Sequence, residues 1–350
     1  MSRITARRAR VLAPVRALAL VAVAAAITLA SGCSSSTSPA ITTAGTSGGV
    51  VINLGDQQQD LKTLLTASGA LAGVSYKVNF LEFDSGPLVD AGFAAHRIDV
   101  GFMGDLPAAL AIKSGLPVVA IAATLPIGAS EYLIAQPGVT SIAQLRGKPV
   151  AYTTGTAPQA FALRALKSAG LSQNDVHQVN VTLQQTGTAL QSGSAVAAVL
   201  SAVQKANYQV AHPDAVVLAT NQTVSPPSYG YTLATKAALG DPAKLAAIGD
   251  LTRRLIEASN WEKSHPSQFV SDYYVNVEHE TQAVAKLVLA SGGTSTYVPI
   301  NPGARSALQQ VVDLMAASHG WPADFSVAGL YSPAESARYN AIVRAVPQNG

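Results

Sequence analysis

The chain has 350 residues, 48% of them hydrophobic and only 12% charged, with 23 Lys and Arg against 20 Asp and Glu. Five arginines (Arg3, Arg7, Arg8, Arg10 and Arg16) and no acid precede Cys33, so the rest of the chain carries 18 bases against 20 acids. That balance leaves no basic surface for nucleic acid and excludes that class of function.

The arginines are followed by an apolar run from Ala17 to Ala30 and then by Ala30-Ser31-Gly32-Cys33. A basic start, a short apolar stretch and small residues at its end form a secretory signal. The run is shorter than the roughly 20 residues that cross a bilayer as a helix. Cys33 is the single cysteine and cannot form an internal disulfide. Its place is that of the cleaved and lipidated residue of a bacterial lipoprotein, so residues 1–33 are expected to be a signal with a lipidation site. Residues 34–49, rich in Ser, Thr and Gly, read as a flexible tether.

From Val50 the pattern is that of an α/β protein with mostly parallel sheets. Strands are expected at Val50–Leu54, Tyr76–Phe83, Asp99–Met103 and Val118–Ala123, with helices around 61–72, 88–95 and 106–114. A second unit opens near Pro137. Ser141 and Gln144 have capping-box spacing, and Gly147 suits the end of that short helix. Val150–Thr154 reads as a strand, followed by a helix to about Ala169 that starts at Thr156-x-x-Gln159, also with capping-box spacing. Further strands are expected at Val179–Leu183, Ala195–Leu200 and Ala215–Ala219. Asp241-Pro242 starts a helix with Leu245, Ile248, Leu251, Leu255 and Ile256 on one face, and the remainder to Ala345 reads as almost entirely helical. The organisation expected is lobe 1 at 50–136 and 232–350, and lobe 2 at 137–231.

Enzyme chemistry is hard to find. The six histidines are scattered without a His-x-x-x-His pair, and Glu278-His279-Glu280 reads as a solvated helical face rather than a metal site. Gly45-Thr46-Ser47-Gly48-Gly49 has the nucleophile-elbow pattern but lies in the tether. No phosphate loop is present. What recurs is a strand ending in a small polar turn before a helix: Ser85-Gly86, Gly104-Asp105 and Thr154-Gly155-Thr156. Ligands of open α/β sheets bind beyond the carboxyl ends of strands, where helix N-termini favour an anion. Ser85, Asp105 and Thr156 are equally suited to be ordinary N-caps.

Glu82-Phe83-Asp84-Ser85-Gly86-Pro87, Ile98 to Pro107 (IDVGFMGDLP) and Leu145-Arg146-Gly147-Lys148-Pro149-Val150-Ala151, in this order and spacing, resemble the aliphatic-sulfonate, taurine and nitrate class of ABC-importer substrate-binding proteins. The resemblance implies a two-lobed periplasmic-binding-protein fold of type II and a monomer without cofactor or metal. It implies a receptor for a sulfonate or related oxyanion, held outside the membrane by its lipid anchor and delivering to a permease with its ATPase. The residues expected at the ligand by position are Asp56, Gln57, Ser85, Gly86, Gly104, Asp105, Thr154, Gly155, Thr156, Gln185 and Tyr229. Asp56 and Asp105 either cap helices or meet a ligand ammonium. Many relatives have an acid and a tryptophan near the return strand, where this chain has Ala195 to Ser201 (AVAAVLS). The alternatives are a receptor for a thiamine precursor or other heteroaromatic ligand, and an enzyme on the same fold.

Overall fold

The computed structural model describes residues 49–348. The expected signal, Cys33 and nearly all of the tether lie outside them. Two sheets organise the described chain.

The first is built from β1 (Val51–Gln57), β2 (Lys77–Phe83), β3 (Val100–Gly104), β4 (Val118–Ile127), β10 (Gly230–Thr235) and β11 (Thr294–Val298), in the order β11-β4-β10-β3-β1-β2. The second holds β5 (Glu131–Ala135), β6 (Pro149–Ala151), β7 (His177–Val179), β8 (Ala197–Ser201) and β9 (Val216–Thr220), in the order β7-β6-β8-β5-β9. Pairing is parallel for β2-β1-β3 and β7-β6-β8, whereas β10, β11 and β5 run antiparallel to their neighbours.

Several of these strands differ from the sequence expectation, among them β10, a strand where none was expected. β5 belongs to the second sheet, so the chain crosses at 128–130 and not near Pro137. β11 adds a strand to a tail expected to be helical, its partner β4 running to Ile127 instead of Ala123. The strand expected at Val179–Leu183 ends at Val179, because Thr182 caps a helical turn over Leu183–Gln185.

Helices α1 (Asp60–Ala67), α2 (Gly86–Ala94) and α3 (Asp105–Lys113) connect the first strands. In the second unit α4 (Ala157–Ser168), α5 (Thr186–Gln191) and α6 (Ala202–Ala211) do the same. The tail runs through α7 (Lys236–Gly240), α8 (Pro242–Ser264), α9 (Pro266–Val270), α10 (Gln282–Ser291), α11 (Pro302–His319) and α12 (Pro333–Ala345). Asp241 caps α8 as expected, accepting from Ala243 N at 2.8 Å and Lys244 N at 3.1 Å. Burying Ile248, Leu251, Leu255 and Ile256 against Ile52, Leu54 and Ile121 brings the tail back onto the first sheet. At roughly 1.5–3 kcal/mol per buried large aliphatic side chain, that stripe holds the return in place.

The two sheets meet at α3. Its Ala108, Ala109 and Ala111 are fully buried, and small residues let neighbours approach closely. Leu106 of α3 and Val311, Leu314 and Met315 of α11 enter the core of the second sheet beside Phe161 and Leu166 of α4. The two crossings, 128–130 and 221–229, are clasped by Asn221. Its Oδ1 accepts from Ser130 N at 3.0 Å and Glu131 N at 3.3 Å, and its Nδ2 donates to Ser130 Oγ at 3.2 Å.

Gly104 shows how tight the junction is, because a Cβ there would fall 2.5 Å from Ala157 Cβ at the start of α4. Gly104→Ala is expected to cost about 1–3 kcal/mol of stability, the usual range for overpacking, measured by chemical denaturation. Unchanged stability contradicts the close approach of β3 and α4.

Candidate functional site

Asp56, at the end of β1, is a helix cap. Its carboxylate accepts from Leu61 N at 3.0 Å and Lys62 N at 2.9 Å, and burial pushes its pKa up against those bonds. Asp105 forms a buried ion pair with Arg164 of α4, whose second amino group donates to Ser228 Oγ at 2.8 Å. Asp105 also accepts from Leu106 N. Both carboxylates are therefore engaged within the protein, Asp56 as a cap, which matches the first of the two roles expected for them, and Asp105 as a pair partner.

Gln57 donates through Nε2 to the Phe102 carbonyl at 2.8 Å, tying β1 to β3. Ser85 is the N-cap of α2 by backbone alone, its hydroxyl making no capping bond. Gly86 packs directly on Pro107. In the turn before α4, Thr154 N donates to Asn180 Oδ1, and Thr154 Oγ1 accepts from Gln178 Nε2, both at 2.9 Å. Gly155 has φ +79° and lies beside Pro87 of α2.

The capping box expected at Thr156 does not form. The buried Thr156 hydroxyl donates to the Thr153 carbonyl, and Gln159 Oε1 accepts from Gly155 N at 2.7 Å. Gln159 Nε2 in turn lies 2.9 Å from His319 Nε2 on α11. Gln185 is exposed, its side chain accepting from Thr182 N at 3.3 Å as a cap. Tyr229, half-buried, packs against the first-sheet core, 6.4 Å centroid to centroid from Tyr231.

One cavity that draws on both units lies next to these residues rather than on them. It holds about 380 Å³ and is lined from one side by Gln58, Glu278 and Glu280, and from the other by Glu131, Pro158, Gln184, Thr186, Ser201, Gln204 and Asn207, among others. None of the eleven expected ligand residues lines it, although Asp56, Gln57, Thr156 and Gln185 are each within two positions of one that does.

Gln58 and Gln59 have φ of 57° and 61°, a left-handed pair of the kind that costs about 1–3 kcal/mol per residue and clusters at functional sites. Gln204 is fixed at the floor. Its Nε2 donates to the Leu183 carbonyl at 2.7 Å, and its Oε1 accepts from Thr186 Oγ1 and Ser201 N, both at 3.1 Å. Asn207 Nδ2 reaches Glu280 Oε1 at 3.0 Å, a hydrogen bond between the second unit and the tail.

The cavity lining contains three carboxylates and no lysine, arginine or histidine. Burial raises the Glu131 pKa to about 7, with the Asp105 charge adding to the rise and Arg164 opposing it. Burial likewise raises that of Glu278, which accepts from Tyr273 Oη at 3.1 Å. Glu278 and Glu280 share the cavity because His279 between them has φ 59° and turns the chain. The segment is a loop, not the solvated helical face expected. Among the described residues, no group of three or more His, Cys, Asp or Glu is placed to hold a metal ion.

Two α/β units, each with its own sheet, joined by two crossings and enclosing a cavity between them, define a two-lobed periplasmic-binding-protein fold. The NMT1/THI5-like family model matches residues 73–261, more than half of the chain, and the chain belongs to that family. A curated Escherichia coli (strain K12) protein named for binding aliphatic sulfonates is 27% identical over 148 residues, which is 41% of this chain and 46% of that protein. The chain thus spans about half the length of the curated relative it matches.

Among solved structures, the periplasmic aliphatic sulphonate binding protein SsuA from Escherichia coli aligns with a TM-score of 0.66 at 21% identity, covering 76% of this chain and 87% of that one. The alkanesulfonate-binding protein SsuA from Xanthomonas axonopodis pv. citri, bound to MOPS, aligns with a TM-score of 0.69 at 20% identity, covering 78% and 94%. The desulfurization enzyme DSZB shares the fold at a TM-score of 0.57 and 13% identity, covering 83% and 98%.

Because the fold holds Glu131 protonated well above the usual carboxylate range, its ionisation costs stability as pH rises from about 4.5 through about 7. Glu131→Gln is therefore expected to raise the melting temperature more at pH 8 than at pH 5. Equal gains at both contradict the desolvation of Glu131.

Proposed function

We propose that this chain is the solute-binding component of an ABC importer, exported and anchored outside the membrane through Cys33. In this reading it captures a small organosulfonate or related oxyanion between its lobes and hands it to a permease and its ATPase. Lobe 1 would comprise 50–127 and 230–348, and lobe 2 would comprise 131–220. They would close about the crossings that Asn221 clasps.

The observation that carries the receptor reading is the cavity lined from both lobes. Closure of such a site is what converts ligand binding into a changed outer surface. Membership of the family, and the sulfonates named in its relatives, support the oxyanion. Enzyme action is not part of the proposal, because the cavity sets three acids among carboxamides and hydroxyls with no nucleophile–base pair.

The carboxylates refine the choice of solute. An anion alone would face Glu131, Glu278 and Glu280 without a compensating lysine or arginine in the lining. A solute that also carries a protonated amine resolves this, with the ammonium at the acids and the oxyanion at backbone amides near the helix starts. The same acids favour the second reading, an amine-bearing heteroaromatic solute.

Thermal-shift and calorimetric titration with ethanesulfonate, taurine, ethylamine and an aminopyrimidine separates these. The expected result is saturable binding of taurine at least tenfold tighter than of ethanesulfonate, with Glu131→Gln narrowing the gap. Preference for the aminopyrimidine selects the second reading, and no saturable binding of any of the four overturns the proposal.

A further inference from the structure

A second cavity, of about 430 Å³, lies among the crossing at Ile127 and Ser130, the start of α6, the end of α8, α9, α10 and the start of β11. Its walls are largely apolar, with Phe269, Val270, Tyr274, Val288 and Leu289. The volume falls within the range of small-molecule sites, roughly 300–1,000 Å³.

One charged group in it is unexplained by the fold. Lys263 ends α8 with its Nζ shielded from water and without a hydrogen-bond partner among the described residues. A lysine on a helix end ordinarily extends its ammonium to solvent. An enclosed ammonium with no acceptor costs free energy that an anion would recover. Burial lowers the Lys263 pKa, and the adjacent Glu262 is the one charge that opposes the fall. Glu262 also lines the cavity, and burial raises its pKa to about 7, so below neutrality it becomes mostly uncharged and repels an anion weakly. The remaining polar groups of the lining are hydroxyls, those of Ser130, Ser201, Ser291, Thr294 and Tyr274.

We propose that this cavity is a binding site for a small monocarboxylate with an apolar body, its carboxylate paired with Lys263 and its hydrocarbon against Phe269, Val288 and Leu289. An amine is disfavoured because the unpartnered group is itself a cationic donor. A long fatty acid exceeds the volume. The ligand would touch the crossing, α6 and the tail helices at once, so it would sit where the two units join. The site does not depend on the identity of the solute in the interlobe cavity.

Calorimetric titration of the protein with hexanoate, benzoate and hexylamine at pH 6 and pH 8 tests the proposal. The expected result is one saturable site for at least one of the two carboxylates and none for hexylamine. Binding should be tighter at pH 6, where Glu262 is neutral and can donate to the carboxylate. Lys263→Met should weaken it at least tenfold while leaving the melting temperature unchanged or higher, and Val288→Trp, which fills the cavity, should abolish it. No saturable binding of either carboxylate, or equal affinity in Lys263→Met, overturns the proposal. Should Val288→Trp fail to fold, Leu289→Phe gives the same test with a smaller increment.

Discussion

The buried ion pair between Asp105 and Arg164 is the constraint on which the arrangement of the two units depends. Both side chains are almost entirely withdrawn from solvent, at 2% and 3% exposure. Asp105 starts the helix after the third strand of one sheet, and Arg164 lies on the main helix of the other. Ser228, on the second crossing, takes another of the guanidinium donors. Two charges taken from water cost several kcal/mol each, and the pair repays this only while both partners stay in place. Loss of either leaves an uncompensated buried charge, at about 3–5 kcal/mol. The pair therefore contributes less as net stability than as a specification of how one unit must sit against the other.

That specification sets where the cavity can be. Asp105, Gly104 against Ala157 and Gly155 beside Pro87 close the junction on the α3–α4 side. The open space is left between the end of β1, the loop holding Glu278 and Glu280, and the ends of β5 and β8. The chain there is bent by residues with positive φ that are not glycine (Gln58, Gln59 and His279). Burial raises the pKa values of Glu131 and Glu278, and the lining holds no lysine, arginine or histidine, which in the proposed reading favours a solute that carries a positive charge.

Much of the fold was legible because the code for it is local. Apolar runs bounded by glycine placed β1 to β4, the Ser141 and Asp241 caps formed as their spacing required, and the apolar stripe of α8 returned to the first sheet. The antiparallel strands β5, β10 and β11 were harder, because nothing local distinguishes Glu131–Ala135 as a strand of one sheet or the other. Partner choice there is settled by tertiary pairing. Of the eleven residues expected at a ligand, four lie within two positions of a residue that lines the cavity and none lines it. Turn residues such as Asp56, Asp105 and Thr156 serve as caps or pair partners, roles their types also suit. The cavity acids were passed over because Glu278-His279-Glu280 looks helical until the left-handed turn at His279 is seen, and Glu131 carries no local signal at all.

The account rests on a solute held between the lobes and touched by both. Hydrogen–deuterium exchange with and without a saturating amine-bearing sulfonate tests this most directly. The account predicts slowed exchange in peptides from both sides of the cavity, those containing Gln58 and Glu278 as well as those containing Glu131 and Ser201. Protection confined to one lobe, or absent from all four, would contradict it.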